Sequence, residues 1–424
     1  MALPSLAWAW PPGSQAMDKR SEGQNQYDII VVGAGMVGAA MACLLAKQSR
    51  DNQTGPLQIA LVEARPTPEF NPHQFDPRVA AITEKSRQLL VRCGVWDGVA
   101  AKRASPYEAM EVWDAEGTGR IQFNCHDIHQ PSLGHIVENA VLVESLMTEI
   151  AELDNIDLYC PAVIADYQND KQGISIQLED GTPLSANLLL AADGANSAIR
   201  QHFDFETVEW DYGHQAIVST ITTEQANQKI ARQRFMPTGP LALLPLNNEG
   251  DLQHCSIVWS QETSEAERLM GLDEDQFCAE LSLASEYCLG QVLRVDKRFA
   301  IPLRQRHAKD YVMHRLALIG DSAHSIHPLA GQGVNLGFAD VLVLAEEIDR
   351  AVKRGLDLGD LSVLKRYQRR RKPENLAAMA AMEGFKRLFA AQPLAVRLLR
   401  NMGMSRLNQV AMVKNQLIKL AMGL

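Results

Sequence analysis

The stretch that decides the fold is Arg315–Asp340, RLALIGDSAHSIHPLAGQGVNLGFAD. It opens on an apolar run, Leu316 to Ile319, with the length and composition of a short buried strand. Gly320-Asp321 stops that run and leaves a carboxylate at the strand's C-terminal edge, where open α/β sheets bind ligands. Pro328, Gly331 and Gly333 then shape a loop. Val334, Phe338, Val341, Leu342 and Ala345 recur at helical spacing, so a helix is expected from near Val334. Small residues ahead of a helix let a ligand reach bare N–H groups at the positive end of its dipole. Such a place suits an electron-rich ring that gains negative charge. An ordinary strand–loop–helix corner with glycines for its turns is the competing reading of this stretch alone.

Working outward, the same pattern recurs near the N-terminus. Tyr27-Asp-Ile-Ile-Val-Val reads as a buried strand, Gly33-Ala-Gly35-Met-Val-Gly38 follows, and AAMACLLAKQ continues as a helix. GxGxxG is weak alone and strong between a strand and a helix. Gly33 permits the tight turn, Gly35 lets a pyrophosphate reach the backbone, and Gly38 lets the helix pack on the strand. A second strand, Gln58 to Glu63, ends in a carboxylate placed to hydrogen-bond an adenosine ribose diol. Glu63 would repel a 2′-phosphate, so the site suits FAD or NAD and not NADP. A third strand, Leu184–Ala191, runs into Asp193-Gly-Ala-Asn-Ser197-Ala-Ile-Arg200, a spacing more specific than a turn requires.

The composition sets the limits. A chain of 424 residues, 46% hydrophobic and 22% charged, can bury a large core and divides into two or three domains. Seven scattered cysteines without a CxxC fit a reducing compartment and give neither a disulfide framework nor a zinc site. His324 and His327 lie three apart with no third ligand nearby, so no metal is expected. No apolar run approaches the ~20 residues of a membrane span. The net charge is −10, yet from Arg350 onward sixteen Lys/Arg face four Asp/Glu. This basic tail on an acidic body has two readings: an anionic membrane surface as partner, or a solvated helical face packed on the body. Residues 1–26 read as a disordered extension, with Met17 as an alternative start, and not as a signal peptide.

Asp76-Pro-Arg78 precedes a helical pattern through Ser86, Leu89 and Leu90. Arg78 reaches either a phosphate or ribityl chain or a surface ion pair. Tyr107–Trp113 and Arg120–Phe123 suggest a β-hairpin inserted between Rossmann elements. A helix starts near Glu138. Strands are expected at Gly173–Leu178, Gln215–Thr222, Leu241–Leu246 and Cys255–Trp259, with one helical stretch near 273–288. The expected division is a dinucleotide-binding domain of residues 27–104, 134–204 and 301–350, which the resemblance below makes the FAD-binding domain. Residues 105–133 and 205–300 form a substrate domain, and 351–424 a helical tail. Within the tail, Leu361–Leu388 holds two helices or a kinked one. Val410, Val413, Leu417, Leu420 and Leu424 form an apolar stripe opposite Lys414, Asn415 and Lys419. That stripe reads either as packed core or dimer contact, or as a membrane-surface helix.

Taken together, GxGxxG with Glu63, DGxxSxxR at Asp193–Arg200 and GDxxHxxxPxxGxGxNxG from Gly320 to Gly337 resemble the single-component flavoprotein aromatic hydroxylases of the para-hydroxybenzoate hydroxylase fold. Arg103–Asp114, Leu133–Asn139, Ala192–Ser197, Cys255–Ser260 and His327–Phe338 are similar to the ubiquinone-biosynthesis hydroxylases, above all to the branch that oxidises ring carbon 5 of a 2-polyprenylphenol. The resemblance runs from about Tyr27 to Leu424. It implies an α/β, Rossmann-type FAD-binding domain with an inserted β-sheet substrate domain. It also implies that Gly33, Gly35 and Gly38 hold the FAD pyrophosphate, Glu63 the ribose, and Asp321 the ribityl chain. Pro328, Gly331, Gly333, Val334 and Asn335 line the isoalloxazine. Arg78 contacts the cofactor, and Asp193 lies near the pyrophosphate and the route of the nicotinamide. Asn139 stands where many relatives carry Arg or Gln reaching FAD.

The chemistry so implied is reduction of FAD by NAD(P)H, addition of O2 at flavin C4a, and delivery of one oxygen to a phenolic ring. Pro328 lies against the reacting ring, and His327 is the candidate base. A single GxGxxG means that NAD(P)H visits without a Rossmann domain of its own. The partners implied are a polyprenylated phenol, other ubiquinone-biosynthesis proteins and a second copy of the chain, with no nucleic acid. The place implied is cytoplasmic, peripheral to the inner face of the membrane. Two alternatives stay open: a pathway hydroxylase of another ring position, and a non-catalytic FAD-binding scaffold subunit.

Overall fold

The apolar runs read from the sequence lie side by side. The computed structural model describes residues 25–50, 55–325, 333–389 and 393–422. The readings made for residues 1–24 and for His327, Pro328 and Gly331 lie outside them. Gln26–Val32 is flanked by Ile59–Val62 and Pro183–Ala191, with Ile156–Tyr159 and Leu316–Leu318 beyond, all parallel. The three central strands are buried on both faces, which is why they read IIVV, IALV and LLLA without alternation. Helices Met36–Gln48, Asn139–Ala151 and Gly333–Lys353 pack on the sheet and on one another. Ile174–Leu178 and Ile164–Asn169 extend it with antiparallel pairs.

A second sheet takes its core from the expected strands, each longer than its apolar part. They are Thr207–Thr223, Gly239–Asn248 and Asp251–Glu262. Strands not foreseen join them, among them Ile230–Met236 and Phe299–Ala308. The boundary drawn at 300/301 therefore falls inside a strand of this sheet, and the chain leaves it at Lys309. The expected hairpin is present as Ala109–Asp114 and Arg120–Asn124, between elements of the first sheet along the chain. It runs parallel to Ile230–Met236 and forms the far edge of the second sheet. The helical stretch expected near 273–288 is the helix Glu274–Ala284; with an unforeseen helix before it, Thr263–Met270, it covers the face carrying Ile217, Ile221, Ile257 and Trp259.

Leu361–Phe389 is one helix with Pro373 inside it, and Tyr367 Oη anchors it to the Leu318 carbonyl at 2.9 Å. Leu394–Gln409 and Ala411–Met422 follow. Of the readings of the C-terminal stripe, packed core within this chain does not hold. Val410, Val413 and Leu417 are exposed, and the packed residues are Ile418 and Met422, against a cluster that includes Phe75 and Tyr107. The polar side faces the protein because it has partners there: Asn415 Nδ2 donates to the Asp127 carbonyl and Lys414 pairs with the Asp127 carboxylate, each at 3.0 Å. The side chains of Leu420 and Leu424 lie outside the described residues.

Candidate flavin and substrate site

At the C-terminal edge of the first sheet, consecutive strand ends hand their hydrogen bonds across. Gly33 N donates to Val62 O at 2.7 Å, Ala192 N to Val32 O at 2.8 Å and Ile319 N to Ala191 O at 3.0 Å. This brings together three motifs that are far apart in the chain. Gly33 has φ +98°, open to glycine but strained for other residues. A Cβ at Gly38 would lie 1.9 Å from the Gly33 carbonyl oxygen, so helix and turn close only on glycine there. A Cβ at Gly35 would meet nothing within 4 Å, which leaves a bare backbone cradle beside the turn. Glu63, one residue past its strand, accepts from Ala34 N at 2.7 Å and Arg65 N at 2.9 Å.

Arg78 and Asn139 are neighbours, because Val79 pairs with Glu138 and Asn139 N donates to Arg78 O at 3.0 Å. Asp76 fixes both, accepting from Arg78 N and Ala140 N. Asp193 Oδ2 accepts from Ile199 N at 3.2 Å, and burial raises its carboxyl against the Ser197 hydroxyl. Arg200, unassigned in the sequence reading, donates to the Ser322 carbonyl at 2.9 Å and to Ala195 O at 2.7 Å. It thereby ties the second motif to the third. Asp321 follows the strand end and is exposed. The helix begins at Gly333, so Gly333, Val334 and Asn335 stand in its first turn, whose N–H groups have no partner within an α-helix. Asn335 uses its side chain locally: Oδ1 accepts from Ser86 Oγ at 2.7 Å and Nδ2 donates to Ala81 O at 2.8 Å.

A family model described as FAD binding domain matches residues 26–382. The chain is 35% identical, over 453 residues and 96% of each chain, to the Xenopus tropicalis ubiquinone biosynthesis monooxygenase COQ6, mitochondrial. It is 35% identical, over 94% of its length and 98% of the relative's, to the Escherichia coli 3-demethoxyubiquinol 3-hydroxylase. This chain belongs to the ubiquinone-biosynthesis flavoprotein hydroxylases. Its fold matches the crystal structure of p-nitrophenol 4-monooxygenase PnpA from Pseudomonas putida with a TM-score of 0.74, over 93% of this chain and 97% of that one, at 17% identity. It is a flavin-dependent monooxygenase, and FAD is its cofactor.

The residues present fit that cofactor. Besides the cradle at Gly35, Asp193 Oδ1 is buried without a hydrogen-bond partner, and the Asp193 backbone nitrogen lies 3.0 Å from where a Cβ of Gly33 would stand. A buried oxygen left unmatched costs about 1–3 kcal/mol, so such an atom beside the glycine turn points to a polar ligand. Among the described residues there is no metal-ligating cluster, and no helix is long and apolar enough to cross a membrane.

Behind the flavin loop lies a buried network that the sequence reading missed. Asp340, in the helix that leaves the loop, accepts from Gly320 N at 3.0 Å and contacts His324 Nε2 at 2.5 Å. Its other oxygen accepts from Arg371 Nε at 2.8 Å. One carboxylate thus clamps the start of the loop, the helix that leaves it and helix Leu361–Phe389. Burial alone would raise Asp340; His324 and Arg371 more than offset this and hold it below the usual carboxylate range. Tyr311, also buried, is hydrogen-bonded to His307 Nε2 at 2.9 Å and receives Asn375 Nδ2 at 3.3 Å. Burial, then His324 and Lys372, pushes His307 down to about 4, so its ring is neutral near pH 7.

The substrate side is one face of the second sheet. Helices cover the face of Ile217 and Ile221. The opposite face carries Val218 paired with Phe299, Ala216 with Ile301 and His214 with Leu303. Phe299 and Ile301 are 36% and 39% exposed, on a stretch that forms an edge of the sheet, since His324 and Ser325 pair with this strand only farther along, at His307 and Arg306. One end of this apolar strip meets a cavity of about 280 Å³ that also borders Phe75, Asp76 and Glu138 on the cofactor side. The other end reaches His307, whose strand partner His324 leads into the flavin loop.

Proposed function

We propose that this hydroxylase inserts one oxygen atom at ring carbon 5 of a 2-polyprenylphenol, using NAD(P)H and O2, as a step of ubiquinone biosynthesis. The apolar strip of Phe299, Ile301, Leu303, Ala216 and Val218 carries the reading, since it joins the cofactor side to the flavin loop and suits a ring without charge. The likeness of Arg103–Asp114, Leu133–Asn139 and Cys255–Ser260 to the ring-carbon-5 branch, read from the sequence, supports the position. FAD, when bound, supplies the electron transfer from NAD(P)H and the activation of O2.

The chain's own residues do the rest. The strip excludes water from the reacting ring, so that activated oxygen is delivered and not lost as peroxide. The first turn of helix Gly333–Lys353 turns its positive end toward the loop and stabilises negative charge on a reduced ring. Gly33, Gly35, Gly38 and Glu63 bind the dinucleotide, and Arg78, Asn139, Asp193 and Asp321 orient it. His327 and Pro328 complete the proposed site from the loop. The Asp340 clamp fixes both ends of that loop, and neutral His307 keeps charge away from the inner end of the strip.

The exposed apolar residues of the C-terminal helices favour membrane contact over the packed-core reading of the tail. Leu394, Leu399, Met402 and Met412 are 60–84% exposed, and residues 394–422 contain five Lys/Arg and no Asp/Glu. A surface of that kind suits an anionic bilayer, where a polyprenylated phenol also resides.

The test is turnover of the holoenzyme with a 2-prenylphenol under air, with the product read by mass spectrometry and NMR. A hydroxyl at ring carbon 5 is expected. A hydroxyl at another carbon would move the chain to a different pathway step. Flavin reduction by NAD(P)H with no hydroxylated phenol would favour the scaffold reading.

A further inference from the structure

The apolar strip does not end at Leu303. Past a bulge the two strands continue as a ribbon, with Trp210 opposite Gln305 and Val208 opposite His307. Helix Leu361–Phe389 runs alongside, and between ribbon and helix lies a groove of about 320 Å³. Its apolar walls are Val208, Trp210, Leu376, Met379 and Ala380, with Gln305, His307, Glu383 and Arg387 completing the lining. Trp210, Val208 and Leu376 remain 55%, 49% and 43% exposed. The other face of the ribbon is charged, with Glu209 paired to Arg306 and Asp211 to Arg304. The ribbon thus alternates as a half-buried strand does, yet its apolar face looks into a groove that no described side chain fills.

We infer that this groove holds the isoprenoid tail of the substrate while the ring lies on the Phe299–Leu303 part of the same strip. The inference rests on the substrate reading proposed above. Three observations select this occupant. The groove continues the strip at its inner end, where His307 adjoins the strand that enters the flavin loop. Five of its nine lining residues are aliphatic or aromatic, and the polar ones are partnered within the protein, Gln305 with Tyr212, His307 with Tyr311 and Arg387 with Glu383, so a tail without polar groups breaks no hydrogen bond among them. The cavity at the opposite end of the strip is bordered by Asp76, Glu138, Asp296 and Lys297 and suits polar groups. Ring and tail therefore have one consistent direction, with the tail leaving between ribbon and helix.

The experiment compares one phenol carrying a single prenyl unit with the same phenol carrying several, on wild-type holoenzyme and on Ala380→Phe, which narrows the groove without adding charge. The expected result is a rise in KM for the long-tailed phenol about tenfold greater than for the short one. The variant should keep its bound-flavin spectrum. Equal changes for both phenols, or none, would overturn the assignment. A long-tailed phenol with a diazirine at the tail tip keeps the question open to test if the variant misfolds. Cross-links in wild-type holoenzyme should map to residues 208–210 or 376–387. Cross-links at the exposed helices 394–422 or around Phe75 would place the tail elsewhere, and a dimer seated on the ribbon in solution would give the groove to a second copy. If wild-type holoenzyme hydroxylates neither phenol, the substrate reading itself fails. If it hydroxylates both and tail length has no effect, only the groove assignment does.

Discussion

The cofactor side and the substrate side of this hydroxylase are built from different materials. The cofactor side is mostly backbone: a glycine turn, strand ends and the first turn of a helix, each set by a few neighbouring residues. The substrate side is a surface of side chains contributed by strands 207–223 and 299–308 and by helix 361–389, which meet only in the fold. Substitutions on the first should therefore remove the flavin or loosen the fold. Those on the second should leave the flavin bound and change what happens to the ring.

The largest effect is expected at the clamp that joins the two sides. Asp340→Ala leaves His324 buried without its anion and Arg371 with only the exposed Glu374, and thermal or denaturant unfolding of the holoenzyme should show a loss of about 3–5 kcal/mol. A loss below about 1 kcal/mol would mean that the network relaxes and does not hold the loop. Next is Gly38→Ala, whose methyl group has no room beside the Gly33 carbonyl. FAD affinity, followed by fluorescence titration, should fall about 10- to 100-fold through an overpacking cost of about 1–3 kcal/mol. Unchanged affinity would show that the turn can yield.

His307 gives a pH test on the substrate side. Its folded value, about 4, lies below the ordinary 6.5, so the unfolded chain takes up the proton first as pH falls. Stability is intact above pH ~6.5 and is lost progressively toward pH ~4. His307→Gln keeps a partner for Tyr311 and removes the titration. Wild type should therefore lose about 2 kcal/mol more than the variant over that window, an amount discounted from the full shift. Parallel curves would show that the ring is not held neutral. A smaller effect is expected for Ile301→Ser, which wets the strip at a cost of about 1 kcal/mol. NADPH or NADH oxidation should continue while the share of electrons recovered as peroxide rises and the flavin spectrum stays the same. The smallest is at the surface: Leu399→Glu with Met402→Glu should weaken sedimentation with anionic vesicles and leave turnover of a short-tailed phenol in detergent unchanged. Vesicle binding equal to wild type would remove the membrane reading of the tail.

The same contrast explains what could be read in advance. The Rossmann strands were legible because burial on both faces makes them continuous apolar runs, and the cofactor residues because their spacing is local. Strand 299–308, FAIPLRQRHA, hid its membership of the second sheet behind Arg304, Gln305 and Arg306, whose partners lie on a strand some ninety residues earlier. Strand 230–236 buries Arg232 and Gln233, so no alternation announced it. In Thr207–Thr223 only the apolar half was recognised, because the ribbon half carries charge on one face. The C-terminal stripe misled because hydrophobicity alone assigned its inner side, whereas Asp127 gives Lys414 and Asn415 a reason to face inward. Asp340 and Arg371 gave no local signal, since a buried ion pair across 31 residues becomes visible only when both helices are in place.

The ribbon has one more consequence, for those who would alter the range of substrates. Thr207 pairs with Ala308, and Lys309 N donates to the Glu206 carbonyl at 2.7 Å, so the chain leaves the Rossmann domain and returns to it through adjacent, hydrogen-bonded ends. A segment whose ends already meet can be exchanged for one from another hydroxylase without stretching the host, because closing the loop costs the same for either insert. The graft has one further demand: its counterpart of Ile230–Met236 must offer a free edge in register with Ala109–Asp114, which stays behind with the host.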